Sequence, residues 1–163
     1  FKKHEVPLIG ETFFNAGDEL ISQSKRSCDA LVLNFANLFN NDQLLSDFSI
    51  SAPKVYLGVI ASGDQFINSD EKINELLKEV PDTLAVEMEG ASVAQVCHEH
   101  KIPFVIIRVI SDKADNQAAI DFPKFVSKVA NIYSKHIVNG IFNQETPSEL
   151  EQDLASNSSC SLR

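Results

Sequence analysis

The sequence predicts an α/β fold in which a parallel or mixed central sheet is flanked by helices, giving a three-layer α/β/α architecture. Three short runs rich in β-branched residues predict strands at residues 54–60 (KVYLGVI), 83–88 (TLAVEM) and 104–110 (FVIIRVI). These runs are almost continuously apolar, which is typical of strands covered on both faces. Helical patterns lie between and after them, and the order β-α-β-α-β-α favours parallel strands joined by helical crossovers.

Four segments carry apolar residues at helical spacing and are predicted as helices: residues 18–39, 69–79, 89–100 and 121–142. The second follows Asn68, which stands three residues before Glu71 in the spacing of a capping box. The third is expected to bury Val93, Val96 and Cys97. The fourth places a stripe of large apolar residues on one face: Phe122, Phe125, Val126, Val129, Tyr133 and Ile137.

The length and composition predict one globular domain. The chain has 163 residues, of which 44% are hydrophobic and 23% are charged. Residues 1–142 are assigned to a single α/β domain, and residues 143–163 lose apolar periodicity and are expected to form a mobile tail. Because the first residue is Phe1 rather than Met, we expect the chain to be part of a longer reading frame.

The charge distribution argues against nucleic acid and membranes as partners. The formal net charge is −9, and an acidic surface repels phosphate backbones. There is no cluster of Lys and Arg interleaved with aromatic residues, and no run of 18 apolar residues that would predict a membrane span.

The cysteines and histidines predict no disulfide framework and no metal site. Three cysteines are widely spaced, which fits a reducing, cytoplasmic environment. Cys97, His98 and His100 fall on one predicted helix, but they lack the i, i+4 histidine pair that holds zinc.

The expected site lies beyond the carboxyl ends of the strands, where ligands bind in open parallel sheets. Three stretches follow strands there: residues 61–67 (ASGDQFI), 88–91 (MEGA) and 111–115 (SDKAD). Each brings a carboxylate or an aromatic side chain to the same rim. A single Asp or Ser in such a position is more often a helix cap, so each stretch alone carries little weight.

Two motifs together resemble a known family. Residues 85–115 (AVEMEGASVAQVCHEHKIPFVIIRVISDKAD) and 62–67 (SGDQFI) are similar to the signature of the 5'-methylthioadenosine/S-adenosylhomocysteine nucleosidases, which belong to the purine phosphorylase superfamily. A weaker similarity extends over residues 13–142. The resemblance implies a phosphorylase/hydrolase-like fold, incomplete at its N-terminus. It also implies a homodimer without cofactor that hydrolyses the N-glycosidic bond of methylthioadenosine and S-adenosylhomocysteine to adenine and a thioribose product.

The resemblance also assigns roles to individual residues. The proton donor to the purine ring falls on Asp112, and the ribose-binding pair falls on Met88 and Glu89. Arg108 matches an arginine near the ribose and the nucleophilic water. The remaining substrate contacts fall on Phe66, Ile67, Ser111, Ala114 and Phe122, with Phe66 stacking on the purine.

Elementary chemistry supports two of these roles. Cleavage of an N-glycosidic bond needs an acid at the purine and hydrogen-bond acceptors at the ribose of an oxocarbenium-like transition state. Asp112 follows an apolar strand, where desolvation favours the protonated form that can donate to purine N7. Glu89 begins a helix, whose N-terminal dipole favours the ionised form that can accept from two ribose hydroxyls.

The sequence departs from the family in two places. Members have a further half-domain before the matched region, which carries the glutamate that activates water. Residues 22–51 are longer than the usual helix-to-strand connection and are interpreted as an insertion or as the mark of a divergent branch of the family. The resemblance further implies that residues 1–14 reach the nucleoside site of a partner subunit, with Phe1, Pro7 and Leu8 as contacts.

Two other functions stay open. A purine nucleoside phosphorylase would attack with phosphate instead of water, although Arg108 four residues before Asp112 matches the nucleosidases better. The other is a non-catalytic remnant that binds adenine nucleosides or only assembles with a partner.

Overall fold

The computed structural model describes residues 3–38, 50, 53–110 and 125–143. Within these ranges the chain forms five α-helices, two strands and one π-helical stretch: α1 (Asp18–Leu33), α2 (Phe35–Leu38), β1 (Val59–Ser62), α3 (Asp70–Glu79), β2 (Thr83–Glu87), α4 (Gly90–Glu99), the π-helix Val126–Ala130 and α5 (Asn131–Asn143). The tail predicted at residues 143–163 lies outside the described residues, apart from Asn143 in α5. No helix in the described ranges is long and apolar enough to cross a membrane.

The two strands form a parallel pair, joined by α3 in a β-α-β unit. Val59 lies opposite Thr83 and Ser62 lies opposite Glu87, with a shift of register after Val59. A parallel pair requires a crossover connection, and the ten-residue helix α3 provides it. Helix α4 then packs against β1. The predicted α/β class is confirmed by this arrangement of parallel strands and flanking helices.

Two of the three predicted strands differ from the structure. Residues 54–58 make no ladder with other described residues, so β1 begins at Val59. Residues 104–110 also lie outside any ladder in the described part of the chain, although Phe104 O accepts a hydrogen bond from Gly17 N at 2.9 Å. Ile110 is 60% exposed, so this run is not covered on both faces. An apolar run favours extended backbone, but a strand also needs a hydrogen-bonded neighbour.

Helix α3 has the predicted span but a different cap. The capping side chain belongs to Ser69, whose Oγ accepts a hydrogen bond from Lys72 N at 3.5 Å. Ser69 has the extended backbone that an N-cap adopts, with φ −150° and ψ 150°. The capping box predicted from Asn68 was therefore placed one residue too early.

Helix α4 confirms its predicted span, but of the three residues predicted to be buried only Cys97 is half-buried, and the two valines are exposed. The buried residues are Gly90 and Ala94, whereas Val93 and Val96 are 49% and 55% exposed. Gly90 and Ala94 stand one helical turn apart, so they share the face that packs towards β1. Small side chains on this face allow the first turn to approach the end of the sheet closely, and the hydrophobic pattern alone does not reveal this.

The apolar core lies between the N-terminal and C-terminal helices. It consists of Leu31, Phe35, Phe125, Val129, Tyr133 and Ile137. The last four recur every fourth residue and confirm most of the stripe predicted on the fourth helix, although Val126 is 41% exposed. Helices α1 and α5 also touch through polar atoms, because Ser27 Oγ donates to Ile137 O at 2.8 Å.

The first described residues are held on α3 of the same chain. Lys3 Nζ forms an ion pair with the carboxylate of Glu79, and His4 Nε2 forms a hydrogen bond with the same carboxylate at 2.6 Å. These hydrogen bonds lower the pKa of Glu79, with Lys3 contributing most and His4 next. Leu8, in the same segment, is 98% exposed.

Candidate active site

The centre of the candidate site is the carboxylate of Glu87 at the end of β2. Its side chain is only 1% exposed. Its Oε2 accepts hydrogen bonds from Glu89 N at 3.0 Å and from Gly90 N at 2.7 Å, and its Oε1 lies 2.9 Å from Gly90 N. A Cβ atom on Gly90 would stand 2.8 Å from Oε1, so glycine is what allows the carboxylate to come this close.

Ser62 at the end of β1 completes this contact between the sheet and α4. Its Oγ accepts a hydrogen bond from Ala91 N at 2.9 Å, and its hydroxyl also hydrogen-bonds the Glu87 carboxylate. The next amide, Ser92 N, donates to Glu89 O at 3.1 Å. The N–H groups at the start of a helix have no intrahelical partner. In α4, the first two of these groups are bound by Glu87 and Ser62 at the ends of the two strands, and the third is bound by the carbonyl oxygen of Glu89.

Glu87 is ionised at neutral pH despite its burial. Burial is the largest single influence and raises its pKa. This effect is outweighed by the hydrogen bonds from Ser62, Glu89 N and Gly90 N together with the positive charge of Arg108, and the pKa of Glu87 is held below its ordinary value.

Glu89, the N-cap residue of α4, does not use its side chain as a cap. Its carboxylate makes no capping hydrogen bond, and the side chain is 70% exposed. Its Oε2 lies 3.4 Å from Nη2 of Arg108. The hydrogen bonds that an N-cap side chain usually accepts from the first amides of a helix are accepted here by Glu87 and Ser62. The carboxylate of Glu89 is therefore presented to solvent at the rim.

Arg108 connects the two carboxylates. Its Nη2 faces Glu89, and its Nη1 lies 3.9 Å from Oε2 of Glu87. The neighbouring residue Val109 packs against the apolar core, which fixes this part of the chain beside the helices. Arg108 also borders a mainly apolar cleft along the π-helix, and such stretches are frequent at functional sites.

The structure brings together three of the site residues predicted from the sequence. Glu89 and Arg108 are in contact, and Met88, which is 46% exposed, stands directly before Glu89. Phe66 and Ile67 follow β1 at the same edge of the sheet. Phe66 is 54% exposed, and its carbonyl oxygen accepts a hydrogen bond from Lys72 Nζ at 3.2 Å.

Four predicted site residues lie outside the described residues: Ser111, Asp112, Ala114 and Phe122. Their roles stay predictions. Within the described ranges, no group of three His, Cys, Asp or Glu residues could hold a metal ion.

Glu87 was not predicted from the sequence. The available signal was an acidic residue inside a run, TLAVEM, that was otherwise interpreted as a strand covered on both faces. A buried charge needs partners, and the helix start that follows two residues later could have been recognised as their source. Ser62 was noted only as part of the stretch after the first strand.

Comparison with known proteins agrees with the α/β fold. The chain belongs to the phosphorylase superfamily, whose model matches residues 7–143. Within that superfamily it is similar to 5'-methylthioadenosine/S-adenosylhomocysteine nucleosidases. It is 36% identical to the nucleosidase of Haemophilus influenzae (strain PittGG) over 143 residues, covering 78% of this chain and 62% of that protein. It is 33% identical to that of Staphylococcus aureus over 145 residues, covering 80% and 63%.

Solved structures give the same result. The nucleosidase of Neisseria meningitidis in complex with methylthio-immucillin-A has a TM-score of 0.65 and 35% identity, covering 86% of this chain and 52% of that chain. A futalosine hydrolase mutant of Helicobacter pylori has a TM-score of 0.59 and 30% identity, covering 86% and 51%. The family resemblance drawn from the sequence is confirmed. The chain spans about half the length of these structures.

Proposed function

We propose that the protein containing this chain hydrolyses the N-glycosidic bond of 5'-methylthioadenosine and S-adenosylhomocysteine, releasing adenine and a thioribose product. The described residues then supply Met88, Glu89 and Arg108 on the ribose side of the site and Phe66 and Ile67 on the purine side. The proposal is supported by the similarity to nucleosidases of this specificity and by the arrangement of Glu89 and Arg108 at the rim of the sheet.

The observation that carries the proposal is the exposed carboxylate of Glu89. Because Glu87 and Ser62 satisfy the first amides of α4, neither oxygen of Glu89 is needed by the helix. An ionised carboxylate accepts hydrogen bonds at both oxygens, which suits two adjacent hydroxyls of a ribose. Its negative charge also stabilises the positive charge that develops on the sugar as the bond breaks.

The other residues complete the chemistry that the proposal requires. Arg108 fixes the orientation of Glu89 and lies where the ribose and an attacking water would meet. Asp112, which follows the same segment by four residues, donates a proton to N7 of the departing purine. Phe66 stacks on the base, and Ile67 meets its edge through the backbone. Ser111 and Ala114 line the base, and Phe122 lines the ribose and alkylthio side.

A second candidate is phosphorolysis of a purine nucleoside, which the match to the phosphorylase superfamily favours. The two reactions differ in the nucleophile, so phosphate separates them. We would express the protein from its complete reading frame and measure adenine release from methylthioadenosine in phosphate-free buffer and in phosphate. Hydrolysis predicts saturable release that phosphate does not increase. Release that requires phosphate would establish the phosphorylase instead, and binding without release would leave only a nucleoside-binding protein.

The acid is tested in the same assay with Asp112→Asn, which keeps the shape of the side chain without a transferable proton. Loss of a general acid lowers the rate by about 10²–10⁴-fold. Nucleoside binding should persist in this variant. Wild-type turnover of Asp112→Asn would remove Asp112 from the reaction.

We also propose that the protein acts in the cytoplasm as a homodimer. The free thiols of Cys28 and Cys97 are compatible with a reducing compartment. Leu8 is 98% exposed, and burial in a subunit interface would remove this apolar side chain from water. Sedimentation of the complete protein as a monomer at micromolar concentration would contradict the dimer.

A further inference from the structure

Glu87 cannot act on a nucleoside directly. Its side chain is 1% exposed, and its oxygens are already occupied by Glu89 N, Gly90 N and Ser62. A buried carboxylate is costly unless it is paired and hydrogen-bonded, and a strand end does not require one. The position of Glu87 therefore calls for a role that acts through its partners.

The partners of Glu87 are the groups that set the position of Glu89. Glu87 holds the backbone amides of Glu89 and Gly90, so it fixes the chain on both sides of the Glu89 Cα atom. It also attracts Arg108, whose other guanidinium nitrogen contacts Glu89. A single buried carboxylate thus restrains both the backbone and the charged neighbour of the exposed one.

The distances from Arg108 to the two carboxylates indicate how Glu87 acts when the ribose binds. Arg108 lies 3.4 Å from Glu89 and 3.9 Å from Glu87. Ribose hydroxyls that bind Glu89 must compete with Arg108 for its oxygens. Because Glu87 stays charged beside Arg108, the guanidinium keeps one carboxylate partner while Glu89 turns to the sugar.

We propose that Glu87 is a positioning residue of this site, which holds the start of α4 and Arg108 so that the carboxylate of Glu89 is free to bind the ribose. This inference rests on the proposed nucleosidase function. Glu87 does not touch the substrate, and its effect is confined to the ribose side of the nucleoside.

The test is Glu87→Gln in the protein expressed from its complete reading frame. The amide is similar in shape, but it carries no charge and has only one acceptor oxygen, so its NH₂ group would face backbone donors or Arg108. Misplacement of a positioned group by about 1 Å can cost about 10²-fold in rate. We expect kcat/KM for methylthioadenosine to fall by about 10²-fold, whereas the Kd of free adenine, which has no ribose, stays unchanged.

A role confined to general stability would give a different pattern, because a partly unfolded protein loses adenine and nucleoside binding together. Coupling to Arg108 provides a further readout. If Glu87 acts through Arg108, the losses in kcat/KM from Glu87→Gln and Arg108→Lys should be less than multiplicative in the double variant.

The matched control is Glu99→Gln, at the far end of α4, where the carboxylate accepts a hydrogen bond from Gln95 on the surface. It should keep wild-type kinetics.

Ser62→Ala keeps the test decisive if Glu87→Gln does not fold. It removes the hydroxyl shared by Glu87 and Ala91 N but leaves the carboxylate its backbone donors and Arg108. We expect the same selective loss for the nucleoside, by about 10-fold, since one hydrogen bond to a charged group is removed. A folded variant of either kind with wild-type kcat/KM, or with equal losses for adenine and nucleoside, overturns the inference. An inactive wild-type protein instead refutes the proposed function on which it rests.

Discussion

Replacing Gly90 by alanine should destabilise the protein, although this change usually stabilises a helix. Gly90 is buried at the first position of α4. An added Cβ atom would lie 2.8 Å from Oε1, 3.1 Å from Cδ and 3.2 Å from Oε2 of Glu87. The methyl group and the carboxylate cannot both keep these positions, so the carboxylate must withdraw from Gly90 N, to which it is now bonded at 2.7 and 2.9 Å.

The magnitude follows from two opposing contributions. The hydrogen bond from Gly90 N to a charged acceptor is worth about 1.5–3 kcal/mol, and both oxygens share the same N–H, so it is counted once. Alanine is favoured over glycine in a helix by about 1 kcal/mol. The expected net loss in the free energy of unfolding is therefore about 0.5–2 kcal/mol. The variant is less stable because the lost hydrogen bond to the carboxylate outweighs the higher helix propensity of alanine.

Urea unfolding followed by circular dichroism measures this difference. Gly63→Ala is the matched control, because Gly63 lies at the same rim and a Cβ atom there meets nothing within 4 Å. The control should change the free energy of unfolding by less than about 0.5 kcal/mol. If Gly90→Ala is as stable as the wild type or more stable, the carboxylate does not bind the helix start as described.

Two further predictions concern the helical layer. Gly140→Ala should lower the free energy of unfolding by about 1–3 kcal/mol, because a Cβ atom there would stand 2.3 Å from Oγ and 3.1 Å from Cβ of the buried Ser27 and would push α1 and α5 apart. Unchanged stability in urea would contradict this packing. Burial raises the pKa of Tyr133 to about 12. The folded state therefore holds this proton more tightly than the unfolded chain, so its contribution is complete below about pH 10 and is lost as the pH rises towards 12. Tyr133→Phe should flatten this part of the stability profile, and an identical alkaline decline in both proteins would show that Tyr133 is not its source.

The sequence predicted the helices and the core better than the sheet. Phe125, Val129, Tyr133 and Ile137 recur at a helical period, and this local pattern was enough to place them in the core. The strand predicted at residues 104–110 has no ladder among the described residues, because strand pairing depends on a neighbour that no local pattern encodes. The buried face of α4 was missed for a related reason. The face of α4 that carries Gly90 turns inward because Gly90 contacts Glu87. The face that carries the larger valines stays exposed.

The candidate site was predicted in part. The family motif placed Glu89 and Arg108 together, and the structure has them 3.4 Å apart. It gave no indication that Glu87 and Ser62 would serve the first turn of α4. Ser62 is 29 residues before Ala91 in sequence, so their hydrogen bond is a product of the parallel register of β1 and β2. A cap supplied from a neighbouring strand leaves no short-range spacing to recognise.

The most direct test of the role of Glu89 compares methylthioadenosine with its 2'-deoxy analogue. The measurement is kcat/KM of the wild-type protein and of Glu89→Gln on both substrates, with Glu99→Gln as the control. A hydrogen bond between a hydroxyl and a charged group is worth about 1.5–3 kcal/mol, or roughly 10- to 150-fold in rate. We predict a loss of this size on methylthioadenosine and a much smaller loss on the 2'-deoxy analogue, which lacks one of the two hydroxyls. Equal losses on the two substrates would show that the carboxylate of Glu89 does not bind the ribose.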